Sequence, residues 1–240
     1  MACSVFLVRH GVTAETGAVL SGRKPGIALS EAGIAQAEAT AALLSNVKFA
    51  ACYASPIQRT TETAQIVAAP HGLAVVPDDA FIEAEYGEWT DVPLADLRKH
   101  PLWPVIQHTP SRAVFPGGEA MRAIQHRAVD GIERLGAAHD GEAILIVSHA
   151  DVIKAILAHY LGTHLDLFQR IHVSPASISI VQLSSHGPMV ACVNQRPGDA
   201  ELAAYVPQAA GDHHASTDEA RNADERAAVA ASDEDAVGER

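Results

Sequence analysis

Three cysteines in 240 residues are too few and too scattered for a disulfide framework. Cys3, Cys52 and Cys192 lie in or beside apolar runs, so they read as reduced, buried thiols. Aromatic residues make up 5% of the chain, and no apolar run approaches the 18 or more residues of a membrane span. Basic residues are scarce as well, 17 against 29 acids. The resulting charge of -12 argues against nucleic acid, whose phosphates need clustered Lys and Arg. No CxxC or HExxH spacing accompanies the 13 histidines, so neither a metal nor a cofactor is expected, and His213 with His214 could bind metal only adventitiously. The start MACSVFLV carries no basic leader, which makes a cytoplasmic protein the expectation.

What is present is enough apolar residue, 48%, to bury one substantial core. Strand-like runs stand at Val5 to Val8, Phe49 to Ala54, Leu73 to Val76, Ala143 to Val147, Ile178 to Leu183 and Met189 to Val193. Helix-like segments at Glu31 to Ser45, Ile57 to Ala69, Glu119 to Leu135 and Val152 to Leu161 alternate with most of them. The alternation predicts a single α/β domain with a mostly parallel, helix-covered sheet over residues 1–205. Residues 77–118, with six prolines, both tryptophans and one short helix candidate near Leu94 to His100, read as a lid-like excursion. Residues 206–240 hold 9 acids and 3 bases, a charge of -6, and predict a disordered acidic tail.

Four segments carry chemistry. In VRHGVT, a buried strand delivers Arg9 and His10 to a glycine turn; a guanidinium binds phosphate oxygens bidentately while an imidazole supplies a nitrogen nucleophile. In SPIQRTTETAQ, Ser55 and Pro56 read as a helix start that puts Arg59 in the first turn. In EAILIVSHAD, His149 follows a buried strand and precedes a helix N-terminus, the place where open α/β sheets receive anions. In FIEAEYGEWTD, Glu83, Glu85, Glu88 and Asp91 are all candidates to protonate a leaving oxygen. Each has a plainer alternative: a strand cap for either histidine, an exposed Arg59 pairing with Glu62, solvated loop acids.

Taken together and in order, VRHGVT, SGRKPGIALSEAGIAQA, SPIQRTTETAQ, IEAEYGEW, FPGGEA and VSHAD resemble the histidine phosphatase superfamily, the phosphoglycerate-mutase-like proteins, over about residues 3 to 195. VFPGGEA, DVIKAIL and HLDLFQRI resemble an actinobacterial-type branch labelled phosphomutase. The resemblance implies a three-layer α/β/α fold and a metal-independent phosphomonoesterase. His10 would become a phosphohistidine, with Arg9, Arg59 and a protonated His149 around the phosphoryl group and Glu83 as proton donor. It also brings Thr16, Arg23 and Ala150 to the substrate side, Ala150 standing where relatives carry glycine and Thr16 where many carry asparagine. Arg23 is equally open to a structural ion pair. A small phosphorylated metabolite is the expected substrate, and nothing indicates an oligomeric state. A phosphomutase is the alternative, resting on whether Arg98, Lys99, Arg112, Arg122, Arg127 or Arg134 reaches the substrate. A third reading is a non-catalytic phosphate-sensing or partner-binding module.

Overall fold

The computed structural model describes residues 2–197; the expected acidic tail and both of its histidines lie outside them. The elements in chain order are β1 (Ala2–Arg9), β2 (Val19–Leu20), α1 (Glu31–Leu44), β3 (Ala51–Ala54), α2 (Gln58–Ala68), β4 (Val75–Pro77), β5 (Val92–Pro93), α3 (Leu94–Leu97), α4 (Trp103–His108), α5 (Met121–Ala138), β6 (Ala143–Ser148), α6 (Ala150–Tyr160), β7 (Ile178–Ser184) and β8 (Met189–Gln195). The main sheet has the order β4-β3-β6-β1-β7-β8. Its β4, β3, β6 and β1 run parallel, while β7 and β8 close one side antiparallel.

Alternation along the central strands makes this a three-layer sandwich. Val5, Leu7, Ile144 and Ile146 pack with residues of α5 and α6, whereas Phe6, Val8, Leu145 and Val147 pack with residues of α1 and α2. Both faces of β1 and β6 are therefore apolar, which is why these strands read as unbroken hydrophobic runs. No described helix is long and apolar enough to cross a membrane.

β1 and β6 are neighbours in register, Arg9 opposite Ser148. From β1 the chain leaves toward β3, and from β6 it leaves toward β7 on the other side. The carboxyl ends of these two strands thus flank the crevice where open α/β sheets bind ligands. His10 and His149 are the residues that follow them.

The excursion over 77–118 is packed into the core. Phe81, Tyr86, Trp89, Leu97, Ile106 and Phe115 are buried in the α5/α6 cluster, with Tyr86 and Phe115 rings 4.8 Å apart and Trp89 and Phe115 rings 5.7 Å apart. α4 forms where the proline-rich texture predicted no helix, because Pro104 sits in its first turn, where the missing N–H has no intrahelical acceptor to lose. α2 corrects a second expectation. It begins at Gln58 with Ile57 as its cap, not at Ser55 and Pro56, although the Ser55 hydroxyl accepts from the Ile57 amide at 3.4 Å as well as bonding His149.

The turn after β1 is held by close backbone approach. Ser30 caps α1 by accepting from the Gly33 amide, and its own amide and hydroxyl donate to the Val12 carbonyl. A Cβ on Gly33 would stand 2.1 Å from that carbonyl oxygen. Gly33→Ala is expected to destabilise the protein by about 1–3 kcal/mol, the usual cost of overpacking, and to lower turnover by shifting the His10 turn. Denaturant unfolding beside initial rates checks both; an unchanged midpoint would count against this packing.

Candidate active site

A cavity of about 250 Å³ opens at the β1/β6 crevice, lined among others by Arg9, His10, Thr13, Thr16, Arg59, Glu83, Tyr86, Ala150 and Asp151. Four separated stretches of chain meet here. Arg9 and His10 come from the end of β1, Arg59 from the first turn of α2, Glu83 from the segment after β4, and Ala150 and Asp151 from the start of α6.

The His10 ring is fixed as one tautomer. Its Nδ1 lies 2.7 Å from the Gly11 carbonyl, which can only accept, so the proton sits on Nδ1 and Nε2 is the unprotonated nitrogen. Arg59 Nε donates to that Nε2 at 3.3 Å. Burial, then Arg59 and Arg9, push the His10 pKa down to about 3. The imidazole is therefore neutral across the physiological range.

Both guanidiniums line the cavity, Arg59 buried and Arg9 partly so. Arg59 is 3% exposed and donates through Nη2 to the Gly22 carbonyl and to His149 Nδ1, which sets aside the exposed pair with Glu62. Glu62 instead accepts from the Leu29 amide and from Gln58. Arg9 Nη1 donates to the Val173 carbonyl. Arg9 Nε and Arg59 Nη1 are buried with no acceptor among the described residues. Burying a charged donor without an acceptor is costly, so the pair favours an anion in the cavity. Burial lowers the pKa of both arginines while Glu83 raises it.

His149 corrects the expectation of a protonated ring. It is fully buried, its Nδ1 accepts from Arg59, and its Nε2–H donates to Ser55 Oγ at 2.8 Å, an arrangement only the neutral form can make. Burial and the charge of Arg59 hold its pKa well below the ordinary histidine value. The ring stands behind Arg59, its centroid 5.3 Å from that of His10.

Of the four candidate acids, only Glu83 lines the cavity. Its Oε1 accepts from the Ala84 amide, and its Oε2 lies 3.5 Å from His149 Nδ1 and 3.9 Å from Arg59 Nη2. Burial, then the charge of Asp151, raises its pKa to about 7 against the pull of Arg59. A carboxyl group that can give a proton near neutrality thus stands beside the neutral imidazole. Glu85 pairs with Arg23, and Asp91 with Lys24.

The remaining expected residues divide. Thr16 lines the cavity and its hydroxyl accepts from the Thr13 amide; Ala150 lines it at the first position of α6. Arg23 does not line it. Its Nε donates to the Glu83 carbonyl, and its Nη atoms pair with Glu119 and Glu85, so it braces the Glu83 segment from behind. Arg127 does the same from α5, bonding the Ala80 and Glu83 carbonyls and Glu119. Ser55, Tyr86 and Asp151 take part in the site without having been expected there. Asp151 stood in the VSHAD segment and Tyr86 beside Glu85, but no spacing rule marked either.

Fold and cavity define an α/β protein with an arginine- and histidine-lined pocket at its sheet crevice. The chain belongs to the histidine phosphatase superfamily (branch 1), whose model matches residues 5–196. It is 33% identical over 200 residues to a bifunctional protein of Mycobacterium tuberculosis, covering 80% of this chain and 53% of that protein. The chain thus spans about half the length of this relative. It is 28% identical over 198 residues to phosphoserine phosphatase 1 of Hydrogenobacter thermophilus, covering 79% of this chain and 91% of the relative. Among solved structures, the α-ribazole phosphatase of Shigella flexneri is similar at a TM-score of 0.73 and 25% identity, covering 82% of this chain and 99% of that one. The named relatives of this chain include phosphatases, and the fold is theirs.

Proposed function

We propose that the protein is a metal-independent phosphomonoester hydrolase that works through a phosphohistidine at His10. The observation that carries this reading is the unprotonated Nε2 of a neutral His10 in a cavity also lined by Arg9 and Arg59, whose buried Nε (Arg9) and Nη1 (Arg59) donors have no acceptor among the described residues. In the first half-reaction, the Nε2–phosphorus bond forms as the ester P–O bond breaks, and Glu83 gives its proton to the departing alcohol oxygen. Arg9 and Arg59 and the amide end of α6 offset the charge on the phosphoryl oxygens, and the neutral His149 positions Arg59 by accepting from its Nη2. Nδ1–H remains bonded to the Gly11 carbonyl, which stabilises the phosphorylated ring. In the second half-reaction, water attacks phosphorus, Glu83 takes its proton, and the P–N bond breaks to release inorganic phosphate.

The charge balance needs no metal: two guanidiniums meet one phosphate dianion. A phosphomutase would need cations to hold a reoriented substrate. None of Arg98, Lys99, Arg112, Arg122, Arg127 and Arg134 lines the cavity, which favours hydrolysis. A sensing module would have no use for a Glu83 poised to give up a proton. A cavity this small suits a small phosphorylated metabolite, and the buried thiols of Cys3 and Cys52 suit a cytoplasmic setting.

The test is phosphate release from alkyl phosphomonoesters by purified protein in EDTA across pH. Glu83 must be protonated to act as an acid, and its pKa is raised to about 7, so kcat/KM is expected to be present below that pH and to fall about tenfold per unit above it. His10 stays neutral down to about 3, so the acid limb should follow the second ionisation of the substrate, near pH 6. Rates abolished by EDTA, or rising steadily above pH 8, would defeat the proposal.

A further inference from the structure

The side of the cavity that receives the leaving group carries negative charge. Asp151, at the second position of α6, lines the cavity, and its Oδ2 accepts from Tyr86 Oη at 3.1 Å. That bond holds the carboxylate at the wall, because the Tyr86 ring is itself buried and packed against Phe115. Its other oxygen lies 3.5 Å from Lys154, whose ammonium bonds Gln169 at 3.0 Å and sits over the Phe168 ring. Glu83 is close enough to feel the Asp151 charge, so the departing oxygen leaves next to two carboxyl groups.

Lys154 pairs with Asp151 from outside the cavity lining, and apart from Arg9 and Arg59 no cation among the described residues lines the wall to meet an anionic group of the leaving alcohol. Arg9 and Arg59 are the positively charged residues among the lining, and the hydrolase reading assigns both to the phosphoryl group. The bases next in sequence to the lining at 19–22 are committed elsewhere, Arg23 to Glu85 and Glu119 and Lys24 to Glu15 and Asp91. The rest of that wall is Val19, Leu20 and Leu94, with the Ser21 hydroxyl beside them. A substrate carboxylate or second phosphate would be desolvated here against like charge and apolar surface.

We propose that Asp151 is a specificity-determining residue that restricts the site to phosphomonoesters of alcohols without a second anionic group, favouring those that carry an ammonium group near the ester oxygen. The inference rests on the hydrolase reading above and names the substrate class of that same site. It also separates this cavity from one built for phosphoglycerates.

The test compares kcat/KM for phosphoethanolamine, glycerol phosphate and 3-phosphoglycerate in the wild type and in Asp151→Asn. Ratios between esters at one pH cancel any effect of Asp151 on the Glu83 proton, which all three share. The wild type is expected to prefer phosphoethanolamine over 3-phosphoglycerate by at least tenfold, the scale of a partly solvated like-charge contact, and Asp151→Asn should bring that ratio close to one. Tyr86→Phe keeps the carboxylate and should keep the direction of preference, which separates charge from packing damage. A wild-type ratio at or below one, or a ratio unmoved in Asp151→Asn, overturns the proposal while hydrolysis itself stands. Absence of turnover on all three esters and on p-nitrophenyl phosphate overturns the hydrolase reading and this inference with it.

Discussion

His10→Ala is expected to reduce kcat/KM on every phosphomonoester on the order of 10⁵-fold, the scale seen when a nucleophile is deleted from a covalent mechanism. Arg9, Arg59 and Glu83 would all remain, but none can form the covalent intermediate. The substitution is expected to preserve the fold, because His10 sits at a strand end and its side chain bonds only Gly11 and Arg59. A second readout follows from the chemistry of the P–N bond, which survives alkali and is lost in acid. Wild-type protein mixed with a ³²P-labelled ester and quenched in alkaline denaturant should retain label that acid removes; the variant should retain none. Label persisting in His10→Ala would mean that another residue accepts the phosphoryl group.

Glu83→Gln carries the other large effect, and its signature is selective. For alkyl esters the alkoxide must be protonated as it leaves, and loss of the general acid is expected to lower kcat about 10²- to 10⁴-fold. For p-nitrophenyl phosphate the phenolate leaves without a proton, so the first half-reaction should be nearly spared and slow hydrolysis of the phosphohistidine should limit turnover. A burst of p-nitrophenol followed by a slow phase is the expected trace. The alkaline limb of the pH profile should also vanish, since it reports the ionisation of this carboxyl group. A burst as slow as the first half-reaction on alkyl esters would remove Glu83 from the acid role and leave it a structural part of the wall.

The fold was legible because its strands are short and locally marked. Buried strands such as AILIVS and SVFLV are unbroken apolar runs bounded by polar turns, and six of them could be placed to within a few residues. The excursion was less legible. Prolines suggested open loop, yet Phe81 and Trp89 are buried in a cluster with residues of α5 and α6, more than 30 residues away in sequence. Burial by distant partners leaves no period in the local pattern. The start of α2 was missed by a few residues: Ser55 and Pro56 match a helix-start signal and Ser55 does accept from the Ile57 amide, but the helix begins at Gln58 and the Ser55 hydroxyl also bonds His149, 94 residues on.

By itself the sequence determined the alternation of strands and helices, the ordered segments that identify the superfamily, and the residue types His10, Arg9, Arg59, Glu83 and His149 at strand or helix ends. These are local facts, fixed by periodicity, turn residues and spacing. Only the tertiary structure decided their states: that β1 and β6 lie side by side, that His149 is neutral, that Arg23 braces Glu83 from behind, and that Asp151 and Tyr86 share the cavity. A pKa and a binding preference depend on burial and on distances between charges of different segments. No single stretch of chain contains those distances, so folding had to supply them.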